Sequence, residues 1–483
     1  IVEGEVPKEI NGSYFRIGPD PQFAPRASHH WFGGDGMVHA FHILKGRVSY
    51  LNRWVRTRKW KLENKAKESL INMMNPLESD PKAYEKLMEM GDDGVANTNI
   101  IWHAGKLLAL EEGHRPFELD PKSLKSKGSW DYDKTLSTPM TAHPKWDPVS
   151  GEMIFFGYMA NGYFSKEINY NRVSKTGEML QNEMFEGPFS SMIHDFMVTQ
   201  DYVIFPVFPL TGSLDRAMSG QSAFAWEPDK GTHLAVMPRN GSVSDIKWFN
   251  MEACYCFHPM NSYNMGSKIV IDLMLFKQAP LFPYADGRKG KAEDQEAKIH
   301  RFELDFNDSN RRIKKHQLDD FTGEFPVIDE RFETHHYTQG FYPAHQDKQK
   351  VANANDMFNS IVHHNHRTQK HKVYKLPSYD TLGEPAFVAR SDSADECDGY
   401  LMTIVYRAKE NRSDLIILDT HDISKGPIAI AKLPHWVPYG FHGNFVSYEK
   451  MKPKKKGVNA TFSKKLLSKN TKAKVYAKSK GKG

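Results

Sequence analysis

From Ile100 to Thr420 the chain is cut into short apolar runs of seven to ten residues, separated by Gly, Pro, Asn and Asp. Glu152–Met159, Asp201–Phe208, Ser222–Pro228, His233–Arg239, Ser267–Phe276, Lys298–Phe306, Gly399–Arg407 and Asp414–Thr420 are of this kind. Runs of this length, bounded by turn formers, read as β-strands. Many short strands with sparse helix between them restrict the chain to an all-β class. Radial repetition of small sheets removes the long exposed edges that so many strands would otherwise leave, so the pattern predicts a β-propeller. No fixed sequence period sets the number of blades. The main helical candidate is Lys65–Met90, which lacks alternation and is broken by Pro76 and Pro81.

The formal charge of +6 hides a division. Met451–Gly483 carries twelve Lys and no Asp, Glu or Arg, which leaves residues 1–450 at −6. The expected organisation is one propeller domain over 1–450 and a basic, disordered tail over 451–483. The acidic body gives no reason to expect a nucleic-acid partner. The tail, or an apolar patch on Lys65–Met90, is where peripheral membrane contact would be sought. No apolar run approaches the roughly 18 residues of a membrane-spanning helix. The chain opens IVEGEVPKEI, without Met or a secretory signal, and is expected to begin inside a longer protein. Three cysteines, Cys254, Cys256 and Cys397, are too few for a disulfide framework and point to a reducing, cytoplasmic compartment.

Chemistry in this chain begins with its 22 histidines, the residue most used by transition metals. The groups His29-His30, His335-His336 and His363–His366 read as surface features. His143, His194, His258 and His442 stand alone instead, each beside apolar or aromatic residues near a strand end. Singly, each reads as a packed core histidine. In a propeller, inner strands of different blades face one axis, which is how four scattered histidines would form one site. A further feature is the hairpin over Ile100–Leu110, which turns at Ala104-Gly105-Lys106 and ends in Glu111 and Glu112. Such carboxylates point either into a cavity or out to water.

The stretches NGSYFRIGPDP, WFGGDGMVHAFH, ANTNIIWHAGKLLALEE, TAHPKWDPVSGEM, SMIHDFMVT, CFHPMNSY, EFPVIDERF, EPAFVARSDSADECDGYL and GFHGNF follow one another in this order. Together they resemble the carotenoid cleavage oxygenase superfamily, and in texture its branch acting on lignostilbenes, resveratrol-type stilbenes and isoeugenol. The resemblance implies a seven-bladed propeller with an axial metal site and a helical and loop cap over a substrate tunnel. It implies His143, His194, His258 and His442 as ligands of Fe(2+), with Glu112, Glu324 and Glu384 behind them. Imidazole suits Fe(II), and a carboxylate that accepts the other ring N–H orients the ligand. The implied activity is cleavage of a C=C bond by O₂ to two carbonyl products. The cofactor carries the hard step and the protein positions a hydrophobic alkene. Phe32, Phe189, Phe257 and Phe441, all beside motif residues, are the candidates for the tunnel wall.

The chain departs from the stilbene-cleaving pattern. Those enzymes carry a Lys immediately before the outer Glu, and a Tyr upstream, to grip the substrate phenol. Glu111 stands at the Lys position and is therefore the candidate substrate-binding residue. Ser69–Asp80, where the Tyr would fall, holds Met73 and Met74 but no Tyr. A carboxylate could accept a hydrogen bond from a neutral phenol but would repel a phenolate. The Gly-rich turn reads Gly33-Gly34-Asp35-Gly36 where the family has DGDG. The same chemistry on an apocarotenoid is the alternative. An isomerase or a non-catalytic binding propeller is a weaker one.

Overall fold

Strands buried on both faces carry continuous apolar runs, whereas outer strands alternate. Met153–Tyr158 (MIFFGY) is buried at every position, while Met179–Glu186, two strands outward in the same sheet, alternates between half-buried and exposed. That gradient repeats around the molecule. In this computed structural model, which describes residues 1–26, 29–346 and 357–452, the strands form a seven-bladed β-propeller. Each blade is an antiparallel sheet of three to six strands, and the two-stranded sheet of Leu210–Gly212 and Phe224–Trp226 lies outside this series. The largest core cluster joins four successive blades through side chains such as Phe156, Phe205, Val236, Ile271, Phe302 and Tyr342. The basic tail expected over 451–483 lies outside the described residues apart from Met451 and Lys452.

The first and last described strands close the ring. The last strand, Gly443–Ser447, pairs with Gly12–Pro19 in the first blade, matching Arg16 with Gly443 and Gly12 with Ser447. The first strand, Val2–Gly4, crosses to the last blade and pairs with Pro427–Lys432. This double exchange couples the first and last described strands in one closure and puts His442 at the start of an innermost strand.

Two helices, Arg58–Ala66 and Pro81–Met90, sit between strands of the first two blades and partly correct the expected helical stretch. Helix begins earlier, at Arg58–Ala66, where the Thr57 hydroxyl caps the Trp60 N–H. It stops where Lys67 takes a positive φ of 66°, and resumes at Pro81–Met90 under an Asp80 cap. The first helix is tied to the Gly-rich turn by Lys59, whose buried ammonium lies 3.0 Å from Asp35 and 2.8 Å from Glu63. Leu77, Met88 and Met90 remain exposed on this stretch. No helix of the described residues is long and apolar enough to cross a membrane.

One histidine group departs from its expected setting. His363–His366 runs through the strand Ser360–Asn365 and its end, and His364 and His366 are buried rather than on the surface. Residues two apart on a strand share a face, so His364 and His366 lie together on the covered face of a middle strand. His364 pairs with Asp319 at 3.1 Å, and the His366 ring lies 4.9 Å from Tyr337.

The closing seam is tight at Gly12, where a Cβ would fall 2.4 Å from the Val446 carbonyl oxygen and 2.5 Å from the Phe445 ring. Gly12→Val should therefore destabilise the whole propeller by about 1–3 kcal/mol, read as a lowered urea midpoint with an unchanged m-value. An unchanged midpoint would show that the seam does not limit stability.

Candidate metal centre

The axis is assembled one residue per blade. His442 precedes the closing strand, and Glu112 follows Lys106–Leu110. His143 precedes Lys145–Trp146, His194 precedes Met197–Val198, and His258 lies within Tyr255–Met265. Glu324 lies in a segment that bridges Gln339–Ala344, and Glu384 precedes Ala386–Ala389. The four histidines, separated by up to 299 positions in sequence, thus become neighbours because every innermost strand starts near the axis.

Each histidine offers one ring nitrogen, and these atoms all lie within 4.8 Å of one another. The Nε2 atoms of His143 and His194 are 3.0 Å apart, and those of His194 and His258 are 3.2 Å apart. Three rings are held from behind. His194 Nδ1 lies 2.5 Å from Glu112, His442 Nδ1 lies 2.8 Å from Glu384, and His258 Nδ1 bonds Glu324. A neutral imidazole that donates from Nδ1 carries a bare lone pair at Nε2. Convergent lone pairs repel, and a divalent cation among them removes the conflict. The four residues therefore fit a transition-metal ion of the kind that imidazole prefers.

Electrostatics keep three of the four imidazoles neutral. Burial, and then the neighbouring imidazoles, hold His143, His258 and His442 well below the usual histidine range. Burial opposes charge on His194 too, but Glu112 outweighs it and raises the pKa. Burial pushes Glu324 up to about 8 and Glu384 to about 7.

The carboxylates are themselves held. Tyr158 donates to Glu112 at 2.8 Å. The Gly443 N–H donates to Glu384 at 2.9 Å, and the buried Arg16 guanidinium donates to the Glu384 and Gly440 carbonyls, both at 3.1 Å. The Phe325 N–H donates to Glu324. His143 is the exception: its Nδ1 lies 3.7 Å from Asp195, beyond hydrogen-bond reach, and Asp195 is paired with Lys145 at 2.8 Å.

The aromatic candidates separate into two groups. Phe257 stands edge-on to His194 at 5.1 Å. Phe441 packs on Trp31 at 4.4 Å and on Phe32 at 5.6 Å. Phe189 instead lies against His233 and Lys230. Phe325, absent from the sequence-based candidates, stacks on His258 at 5.0 Å and approaches His442 at 5.3 Å. It takes a positive φ of 55°, a costly conformation for a bulky side chain. The only signal for it in the sequence is its place after Glu324. On another side, a cavity of about 140 Å³ reaches His143, His258 and His442 and is lined by Asn99, Lys145, Asp195 and Glu333.

Glu111, expected at the substrate, has both oxygens engaged by the protein. One accepts the Val95 and Ala96 N–H groups at 2.6 and 3.2 Å. The other lies 2.9 Å from His114, whose far nitrogen lies 3.2 Å from Asp92. Gly94 is required here, because a Cβ would fall 2.2 Å from the Glu111 carboxylate and its φ is +68°. Burial opposes a charge on His114, but Glu111 and Asp92 outweigh it and hold its pKa well above the usual value. Burial likewise opposes the Glu111 charge, and His114 outweighs it and lowers that pKa.

Residues 1–447 match the family described as retinal pigment epithelial membrane protein. The chain is 39% identical over 456 residues to isoeugenol monooxygenase of Pseudomonas nitroreducens, covering 92% of this chain and 94% of the relative. Its structure is similar to the crystal structure of Pseudomonas brassicacearum lignostilbene dioxygenase, with a TM-score of 0.88 and 32% identity over 92% of this chain and 94% of that one. Cobalt-substituted apocarotenoid oxygenase of Synechocystis matches with a TM-score of 0.82 and 27% identity over 92% and 95% of the two chains.

Two outcomes test this geometry. Glu384→Ala should lower metal affinity about 10–100-fold, whereas Asp195→Asn, beyond hydrogen-bond distance of its histidine, should lower it less than tenfold; metal content after dialysis against graded chelator measures both. His114→Asn should destabilise the fold by about 3–5 kcal/mol at pH 6, because two buried carboxylates lose their shared cation. The His114 pKa is raised on folding, so its contribution is complete below the unfolded value of about 6.5 and is lost as pH rises through the folded value. The gap between wild type and variant in urea denaturation should narrow toward alkaline pH.

Proposed function

The chain belongs to the retinal pigment epithelial membrane protein family of carotenoid cleavage oxygenases, and from that premise we propose that it is an Fe(II)-dependent oxygenase cleaving the C=C bond of a phenylpropenoid or stilbene-type alkene. The observation that carries this reading is the axial set of four histidines, three of them backed by carboxylates, in a chain whose relatives include an isoeugenol monooxygenase and a lignostilbene dioxygenase. An Fe(II) ion held by His143, His194, His258 and His442 supplies the one-electron chemistry that lets dioxygen react with an alkene. The chain's own residues do the rest. Glu112, Glu324 and Glu384 keep the three ring protons at Nδ1 and hold the Nε2 atoms inward. Phe257 and Phe325 present apolar faces beside the ligands, which exclude water and give a flat conjugated substrate a surface to stack on. The charged groups Lys145, Asp195 and Glu333 in the wall of the small cavity suit water better than an apolar alkene. No side-chain base or nucleophile is needed. The C=C and O=O bonds break and two C=O bonds form, so atoms and electrons balance without an added reductant.

One observation favours the apocarotenoid alternative. Glu111 replaces the expected cation and has its oxygens committed to Val95, Ala96 and His114, so it supplies no grip for a phenolate. We read Glu111 as acting on the substrate only through the wall it braces. The free, buried Cys254, Cys256 and Cys397 support a reducing, cytoplasmic setting.

The purified protein, incubated under air with isoeugenol, a lignostilbene and an apocarotenal, should release aldehydes from the two aromatic alkenes faster than from the apocarotenal. Chelation should abolish turnover and Fe(II) should restore it. With ¹⁸O₂ and rapid reductive trapping, one labelled oxygen should appear in each product. Aldehyde from the apocarotenal alone would reverse the substrate assignment, and label in only one product would refute the double incorporation.

A further inference from the structure

Several tyrosine hydroxyls are buried without a hydrogen-bond partner among the described residues: those of Tyr14, Tyr132, Tyr255, Tyr342 and Tyr439. A buried hydroxyl left unpaired is costly, so each needs a reason. Tyr342 lies near the Asp319 carboxylate, Tyr14 lies beside Arg16, and Tyr132 stacks on Phe155 at 5.8 Å, within another core cluster. Tyr255 differs in place. It starts the strand that carries the ligand His258, three residues ahead of it, and is wholly buried. Its ring meets Phe257 edge-on at 4.9 Å, and Phe257 in turn meets the ligand His194 at 5.1 Å. The Tyr255 phenol is therefore one aromatic ring removed from the metal centre.

The surroundings of Tyr255 are otherwise apolar. Phe208 lies at 5.3 Å, Trp226 at 6.4 Å and Phe276 at 6.5 Å between ring centroids. Tyr158, the other phenol on this side, already donates to Glu112. Burial, and then the charge of Glu112, keep the Tyr255 hydroxyl protonated, so it is available both as donor and as acceptor. A single free hydroxyl in a cage of aromatic rings beside the metal ligands is what a flat aromatic substrate with one oxygen substituent would require.

Resting on the aromatic-alkene reading above, we propose that Tyr255 is the specificity-determining anchor of the substrate, hydrogen-bonding the phenolic oxygen of the alkene whose double bond lies at the metal. The cost of the unpaired hydroxyl is relieved when a phenol binds. An analogue without ring oxygen leaves it unpaired and is discriminated against.

The test compares isoeugenol with 1-propenylbenzene, which has no ring oxygen, in wild type, Tyr255→Phe and Tyr439→Phe. Metal content is measured for each, and isoeugenol Kd is obtained by anaerobic calorimetry. For Tyr255→Phe the ratio of kcat/KM for isoeugenol to that for 1-propenylbenzene should fall about tenfold, one hydrogen bond's worth. Kd for isoeugenol should rise by a similar factor, with metal content and thermal midpoint maintained. Tyr439→Phe controls for a hydroxyl near Glu384 and Arg16 and should leave the ratio within twofold. An unchanged ratio in Tyr255→Phe, equal losses on both alkenes, or a ratio that falls in Tyr439→Phe instead would each overturn the assignment while leaving the function intact. A wild type that cleaves an apocarotenal but neither aromatic alkene would defeat the aromatic-alkene reading and this inference with it.

Discussion

Three buried carboxylate–imidazole hydrogen bonds hold the centre of this propeller in the only protonation pattern that makes it useful. Glu112, Glu324 and Glu384 take the Nδ1 protons of His194, His258 and His442, so the opposite nitrogens face one another as bare lone pairs. A protein pays a repulsive cost for that arrangement in the absence of a cation, and gains a preformed site in its presence. The bonds run between blades. Glu324 and Glu384 reach neighbouring blades, and Glu112 passes the blade of His143 to hold His194. The metal centre and the closure of the ring therefore depend on each other: His442 is placed by a strand that pairs with the first blade, and it helps to complete the site that ties the blades together.

The histidines are flanked by aromatic rings and by a small cavity with charged groups in its wall. Rings of Phe257 and Phe325 cover them in one direction, while Lys145, Asp195 and Glu333 line a small polar cavity in another. The Tyr255 hydroxyl, without a hydrogen-bond partner among the described residues, lies on the aromatic side.

Glu111 shows how one substitution propagates. A carboxylate at this position draws in His114 and Asp92 and binds two backbone N–H groups of the segment leading from the helix Pro81–Met90 to the second blade. The segment is further pinned by Asn97, which donates to the Phe32 and Gly34 carbonyls at 2.7 and 2.8 Å. The result is a braced wall rather than a charged contact, with Glu112 carried on it at the next position.

The all-β class was legible in the chain itself, and the four axial histidines with the carboxylates behind them were proposed only through the family resemblance. Strand-length apolar runs and turn residues are local properties, and His143, His194, His258 and His442 each sit in a distinctive local stretch. The resemblance to a family then grouped residues that spacing alone does not group. The helix start at Arg58 was missed because its signal is a single Thr cap. The burial of His364 and His366 was missed because a polar sequence gives no sign that their face of the strand is covered. Phe325, the Tyr158 support of Glu112, the engagement of Glu111 and the isolation of the Tyr255 hydroxyl were decided only by tertiary structure. Each depends on which side chains from distant segments meet, and hydrogen-bond satisfaction is a property of that meeting rather than of any one stretch of sequence.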